Sequence, residues 1–222
     1  MAERPRPGLQ YLTPAAQLRA DRLPRRLVQL FVGLSLFGAS LAMMVRGALG
    51  LAPWDVLHLG VAQQVDLSLG TVVVLTSLVL LLLWIPLREM PGLGTIANAV
   101  WVGVALDLTL PVLPDTENLP VRIALMVGGV VLNGLAGALY IGAQLGPGPR
   151  DGLMTGLARR TGRSLRVVRT SIEVTVLGLG WLLGGVVGVG TLLYAAGVGP
   201  LVQLFLPYTV VRVTPRRSDR PR

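Results

Sequence analysis

From residue 27 onward the chain alternates long apolar stretches with short polar breaks, and the stretches have the length of membrane spans. Residues 27–45, 67–87, 93–113 and 123–143 are each bounded by charge, proline or glycine. About twenty apolar residues is what a helix needs to cross a hydrocarbon layer roughly 30 Å thick. The last apolar region, 174–206, carries no charge and is too long for one helix yet slightly short for two. The strand-like alternation that a membrane barrel requires is absent.

An internal repeat divides that last region. At an offset of 96 residues, 33–111 aligns without a gap on 129–207, with 26 identities in 79 positions. Many of the matches have backbone or polar roles: Gly38/Gly134, Gly50/Gly146, Pro53/Pro149, Asp55/Asp151, Gly94/Gly190, Thr95/Thr191 and Pro111/Pro207. Interchangeable Leu and Val would not produce them. Arg88-Glu89-Met90 falls on Gly184-Gly185-Val186, so the break between two helices is expected there. This gives a fifth span at 167–187, with Arg169 and Glu173 in its first turns, and a sixth at 188–206. The expected fold is an all-α membrane protein of six transmembrane helices, built as two inverted three-helix repeats. Three spans per copy force the second copy to enter the bilayer in the opposite sense, a geometry used mainly by transporters.

Composition agrees: 52% of the 222 residues are hydrophobic and only 14% are charged, with mean hydropathy +0.66. Cysteine and lysine are absent, so all twenty basic residues are arginine. Residues 1–26, with four Pro and six Arg, read as a disordered basic cytoplasmic tail, and 207–222 as a second basic tail. The first span is nineteen residues long and others follow it, which marks a retained helix and not a cleaved leader. With the N-terminus inside, eighteen of the twenty arginines fall on the cytoplasmic side, leaving Arg46 and Arg122 outside. The excess of inner positive charge therefore orients both termini inward in a bacterial cytoplasmic (inner) membrane. The arginine-rich inner loop, 159–169, is a topology determinant that attracts anionic headgroups, and nucleic acid is not an expected partner.

The first and second spans of each copy are joined by one device, Leu-Gly-x-x-Pro-x-Asp-x-Leu-x-x-Gly, starting at Leu49 and at Leu145. Gly50 and Gly146 permit a sharp turn, Pro53 and Pro149 suit the first helical position, and Asp55 and Asp151 meet a positive helix end. Two readings stand: the motifs dip inward so that their N-termini meet and hold a substrate or gate a path, or they are surface turns with helix caps. Asn98 and Asn133 lie deepest in their spans, where they can bind a polar substrate or hydrogen-bond between helices. Asp107 and Glu173 are candidates for a proton relay. Against that, Asp107 lies near the outer headgroups and Glu173 follows Arg169 at helical ion-pair spacing. The glycines at 180, 184 and 188, and at 152 and 156, suit close helix packing. A single histidine, His58, rules out a multi-His metal site and reads as a solvated interfacial residue. No nucleophile elbow or nucleotide-cradling loop occurs, so neither an enzyme nor a cofactor is expected.

The strings RGALGLAPWDVLHLG from Arg46, WIPLREMPGLGTIANA from Trp84, YIGAQLGPGPRDGLMTGLARRTG from Tyr140 and VRTSIEVTVLGLGWLLGG from Val168 resemble the YczE branch of the YczE/YitT-like bacterial integral membrane proteins. The resemblance spans 27–206. It implies a multi-pass membrane protein and supplies neither an activity nor a substrate. Members of the YitT type carry a soluble C-terminal domain, which this chain replaces with a short arginine tail. The functional expectation from symmetry is a permease for a small solute or ion working by alternating access. The alternative is a non-transporting scaffold or assembly partner, with self-association into a homo-oligomer left open.

Overall fold

A computed structural model describes Leu9 and residues 12–213, and every regular element among them is helical. In chain order these are α1 (Pro14–Arg19), α2 (Leu23–Gly47), α3 (Pro53–Gln64), α4 (Leu69–Leu87), α5 (Leu93–Thr109), α6 (Leu119–Gly142), α7 (Pro149–Thr161), α8 (Leu165–Leu182) and α9 (Val189–Thr209), with a 3-10 turn, Leu110–Val112, extending α5. Among the described residues five helices are long and apolar enough to cross a membrane: α2, α4, α5 with its extension, α6 and α9. The eighteen residues of α8 include Arg166, Arg169 and Glu173, and by length and composition it is not among them. The break expected near Gly184 is present between α8 and α9, where Gly184 turns the chain at φ +97°.

The first twenty-six residues are not irregular throughout, as the sequence had suggested. Thr13 caps α1 by accepting the Ala16 amide, and Pro14 sits in the first turn. α2 starts at Leu23, and Arg26 is fully buried within it. Its guanidinium donates to the carbonyls of Gln17 (2.6 Å), Ala143 (2.8 Å) and Gln144 (2.6 Å). A charge that composition assigned to a solvated tail is thus a structural clamp. The second tail likewise begins later than 207, because α9 continues to Thr209 and Val211 and Val213 pack on Ala20. Residues 1–8, 10–11 and 214–222, the remainder of both expected tails, lie outside the described residues.

α2 and α6 cross at the centre, around Leu34, Leu41, Met44, Met126, Val130 and Tyr140. Glycine makes the crossing close: a Cβ on Gly33 would lie 2.9 Å from the Tyr140 amide, and one on Gly129 would lie 3.0 Å from the Ser40 carbonyl. α5 packs on α2 and α9 on α6, while α3 lies against α8 and α7 against α4.

These contacts are reciprocal at the repeat offset. Arg26 binds the carbonyls of residues 143 and 144; Arg122, 96 residues later, binds those of Gly47 (3.0 Å) and Ala48 (2.8 Å). The Gly94 amide donates to Leu145 O at 2.7 Å, and the Gly190 amide to Leu49 O at 2.7 Å. Thr95 and Thr191 each accept an amide three residues back, from Gly92 and Gly188. Each half thereby fastens the other half's motif in place.

Candidate functional site: a cavity between the two motif helices

The motif glycines set the direction of α3 and α7. Gly50 and Gly146 have φ of +116° and +118°, a region costly for any side chain. A Cβ on Gly50 would also lie 2.6 Å from the Gly188 amide, and one on Gly146 would lie 2.8 Å from Thr95 Oγ1. Pro53 and Pro149 then open the two helices, where the missing amide hydrogen costs nothing. Neither helix is a surface turn. Trp54, Asp55, Val56 and His58 of α3 are buried, as are Pro149, Gly152, Met154 and Gly156 of α7.

The N-terminal turns of both helices line one cavity of about 390 Å³. Its wall takes equivalent positions from the two halves: Pro53 with Pro149, Trp54 with Arg150, Phe37 with Asn133, Asn98 with Tyr194, and Ser77 with Glu173. Asp151 lines it, whereas Asp55 stands behind Arg150. The two N-termini meet directly, with the Arg150 guanidinium 5.3 Å from the Trp54 ring centroid and its Nη2 3.5 Å from Asp55 Oδ1.

Among the described residues, the charges around the cavity form ion pairs within the protein, except Asp151. His58 Nδ1 is 3.3 Å from Asp55 Oδ1, completing an Asp55–His58–Arg150 cluster. His58 is 1% exposed, so it is not the solvated residue its sequence position suggested; α3 is held between α4 and α8. Arg169 donates to Glu173 at 2.8 Å, at the helical spacing read from the sequence. Among the described residues Asp151 makes no ion pair and accepts from a neutral partner, the Tyr140 hydroxyl at 2.7 Å. Asn133 donates to Ser40 Oγ (2.8 Å) and accepts from the Tyr194 hydroxyl (3.3 Å), bridging α2, α6 and α9. Asp107 lies elsewhere: it accepts the Ser68 hydroxyl (2.6 Å) and the Gly70 amide (2.8 Å), holding the start of α4 against α5. Among the described residues no three acidic or histidine side chains gather as metal ligands.

The two halves differ at their rims. α4 packs along α5 with Gly70 against the Gly103 backbone, and Asp107 bridges the joined ends. Among the described residues no comparable packing joins α8 to α9. Their facing residues, Arg169 and Glu173 on one and Tyr194, Val198, Gly199 and Val202 on the other, line the cavity instead. The cause is legible: the position equivalent to Gly70 is Arg166, too large to seat on Gly199, whose own Cβ position meets nothing within 4 Å.

Trp54, Arg150, Tyr140 and Tyr194 belong to the site, though their residue types alone do not mark them in the sequence, where Arg150 counts only as inner positive charge. The signal was the repeat itself, since Trp54 and Arg150 share a motif position and Tyr194 falls on Asn98.

Residues 24–207 match the family of unknown function DUF6198. An uncharacterized protein of Haemophilus influenzae is 41% identical over 177 residues, covering 80% of this chain and 81% of its own length. The uncharacterized membrane protein YczE of Bacillus subtilis is 32% identical over 182 residues, 81% of this chain and 85% of its own. The uncharacterized protein YyaS of the same organism is 28% identical over 180 residues, 79% and 90% respectively. No solved structure matches the chain.

Proposed function

The chain belongs to the family of unknown function DUF6198 and is a YczE-like, multi-helix membrane protein, and on that premise we propose that it is a permease for a small solute or ion. It crosses the bacterial inner membrane six times, with both ends inside and the second three-helix repeat inverted relative to the first. α8 is the fifth span in chain order, added to the five apolar helices; its charged face turns to the cavity, where water can reach it, and not to lipid. The mechanism is alternating access, with one repeat rocking against the other around the paired motif helices.

A single observation carries this reading: a central cavity walled by equivalent residues of both halves, sealed along α4–α5 and unsealed along α8–α9. In the orientation favoured by the arginines, the sealed pair closes the outer side and the unsealed pair faces the cytoplasm. That is an inward-facing carrier. A scaffold has no need of such a chamber. Purified protein reconstituted in vesicles should move at least one member of a panel of small ions and solutes faster than empty vesicles do. The Asp55→Asn/Asp151→Asn double variant should slow it. Vesicles that stay inert across the panel would favour the scaffold.

A further inference from the structure

The two motif aspartates hold equivalent positions in unequal surroundings. Asp55 has a cation built in, with Arg150 Nη2 at 3.5 Å. Arg169 is committed to Glu173 at 2.8 Å. Asp151 has no arginine at ion-pair distance among the described residues: Arg169, already paired with Glu173, acts on it only from farther off, and its bond to Tyr140 adds no charge. The first turn of α7 favours its carboxylate through the helix dipole, a partial compensation. Two arginines thus stand against three carboxylates around the chamber, and the one left over faces the empty volume.

The oxygens near Asp151 converge on a point. A methyl placed on Gly148 would lie 3.3 Å from Asp151 Oδ2, 3.4 Å from Tyr140 Oη and 3.7 Å from Asn98 Oδ1. Tyr140 already donates its proton to Asp151, so a guest meets acceptors there. Phe37, Tyr140 and Tyr194 supply aromatic walls beside it. A carboxylate, a carbonyl oxygen and ring faces are the environment that holds an ammonium or guanidinium group. A volume of about 390 Å³ exceeds the needs of a bare metal ion and suits a small organic body.

We propose that the cavity binds a small organic cation, a primary ammonium or guanidinium on an apolar body, with its charge at Asp151 between Tyr140 and Asn98. This deepens the permease reading and rests on it for transport, though not for binding. The unsealed gap between α8 and α9 is the route of entry.

The test is equilibrium binding to the full chain in lipid nanodiscs, with butylammonium, phenethylammonium and guanidinium chlorides as probes and phenylethanol and phenylacetate as neutral and anionic counterparts. At least one cation should bind about tenfold or more tighter than either counterpart, and Asp151→Asn should remove that preference. Asp115→Asn, which deletes a carboxylate 88% exposed in a distant loop, should leave it intact. Gly148→Ala keeps every charge but fills the meeting point of the three oxygens, and should also abolish the preference; its φ of −65° accepts alanine without strain. If no cation is preferred, or if both cavity variants bind as the parent does, the proposal falls. Binding without flux would overturn the permease and leave the cation site standing. Flux confined to anions or neutral solutes would do the reverse.

Discussion

Gly70 and Gly103 touch backbone to backbone, closing α4 onto α5 so tightly that neither position has room for a Cβ. The equivalent pair in the second half, Arg166 and Gly199, makes no such seal. This one difference leaves α8 and α9 apart beside the cavity where α4 and α5 are joined.

Gly103→Leu should therefore wedge α4 from α5. The native chain has no cysteine, so a Ser77→Cys variant reports on the cavity by itself. In the parent it should react with a membrane-impermeant thiol reagent from the inner side alone, and with Gly103→Leu from the outer side as well. Gly199→Leu, with open space around it, should change neither. Unaltered outer labelling in Gly103→Leu would refute the seal.

Arg26 and Arg122 do the same work from equivalent positions, but Arg26 is fully buried and binds three carbonyls where Arg122 binds two. Each buried carbonyl left without a donor costs about 1–3 kcal/mol. Arg26→Ala should lower the thermal unfolding midpoint in detergent clearly more than Arg122→Ala does. Equal or inverted shifts would show that burial does not set the value of these clamps.

Gly50→Ala and Gly146→Ala should each be destabilising by about 1–3 kcal/mol, because both positions combine positive φ with a crowded Cβ site. Gly178→Ala in α8, whose Cβ position is empty, should be neutral or slightly stabilising. Denaturant or thermal melts of the three variants give the comparison, and a harmless substitution at Gly50 and Gly146 would remove the backbone argument for the motif.

The loops following α3 and α7 should lie on opposite sides of the membrane if the second repeat is inverted. Asp66→Cys and Arg163→Cys sit in those loops, each exposed. The first should react with an impermeant reagent on intact cells, the second only after the membrane is opened. Reaction of both from one side would end the inverted-repeat proposal, and alternating access with it.

Much of this protein was legible in its sequence, because hydropathy and repetition are properties of the chain read locally or against itself. The five helices apolar enough to span needed only runs of apolar residues, and the helix break near Gly184 needed only the alignment with Arg88-Glu89-Met90. The motif glycines and prolines announced their turns for the same reason, since backbone permission is written in the residue type. Tertiary structure alone decided what each polar residue faces. Arg26 and Arg150 count equally as positive charges in composition, yet one clamps carbonyls of the opposite half and the other stacks on Trp54 beside Asp55. His58 became buried because α3 lies between α4 and α8, the second of which is more than a hundred residues away in the chain. The same holds for the twin aspartates, identical in motif and helix position: which one is paired depends on an arginine donated from the other repeat, and only the packed fold brings that arginine to Asp55 and leaves Asp151 without one at ion-pair distance.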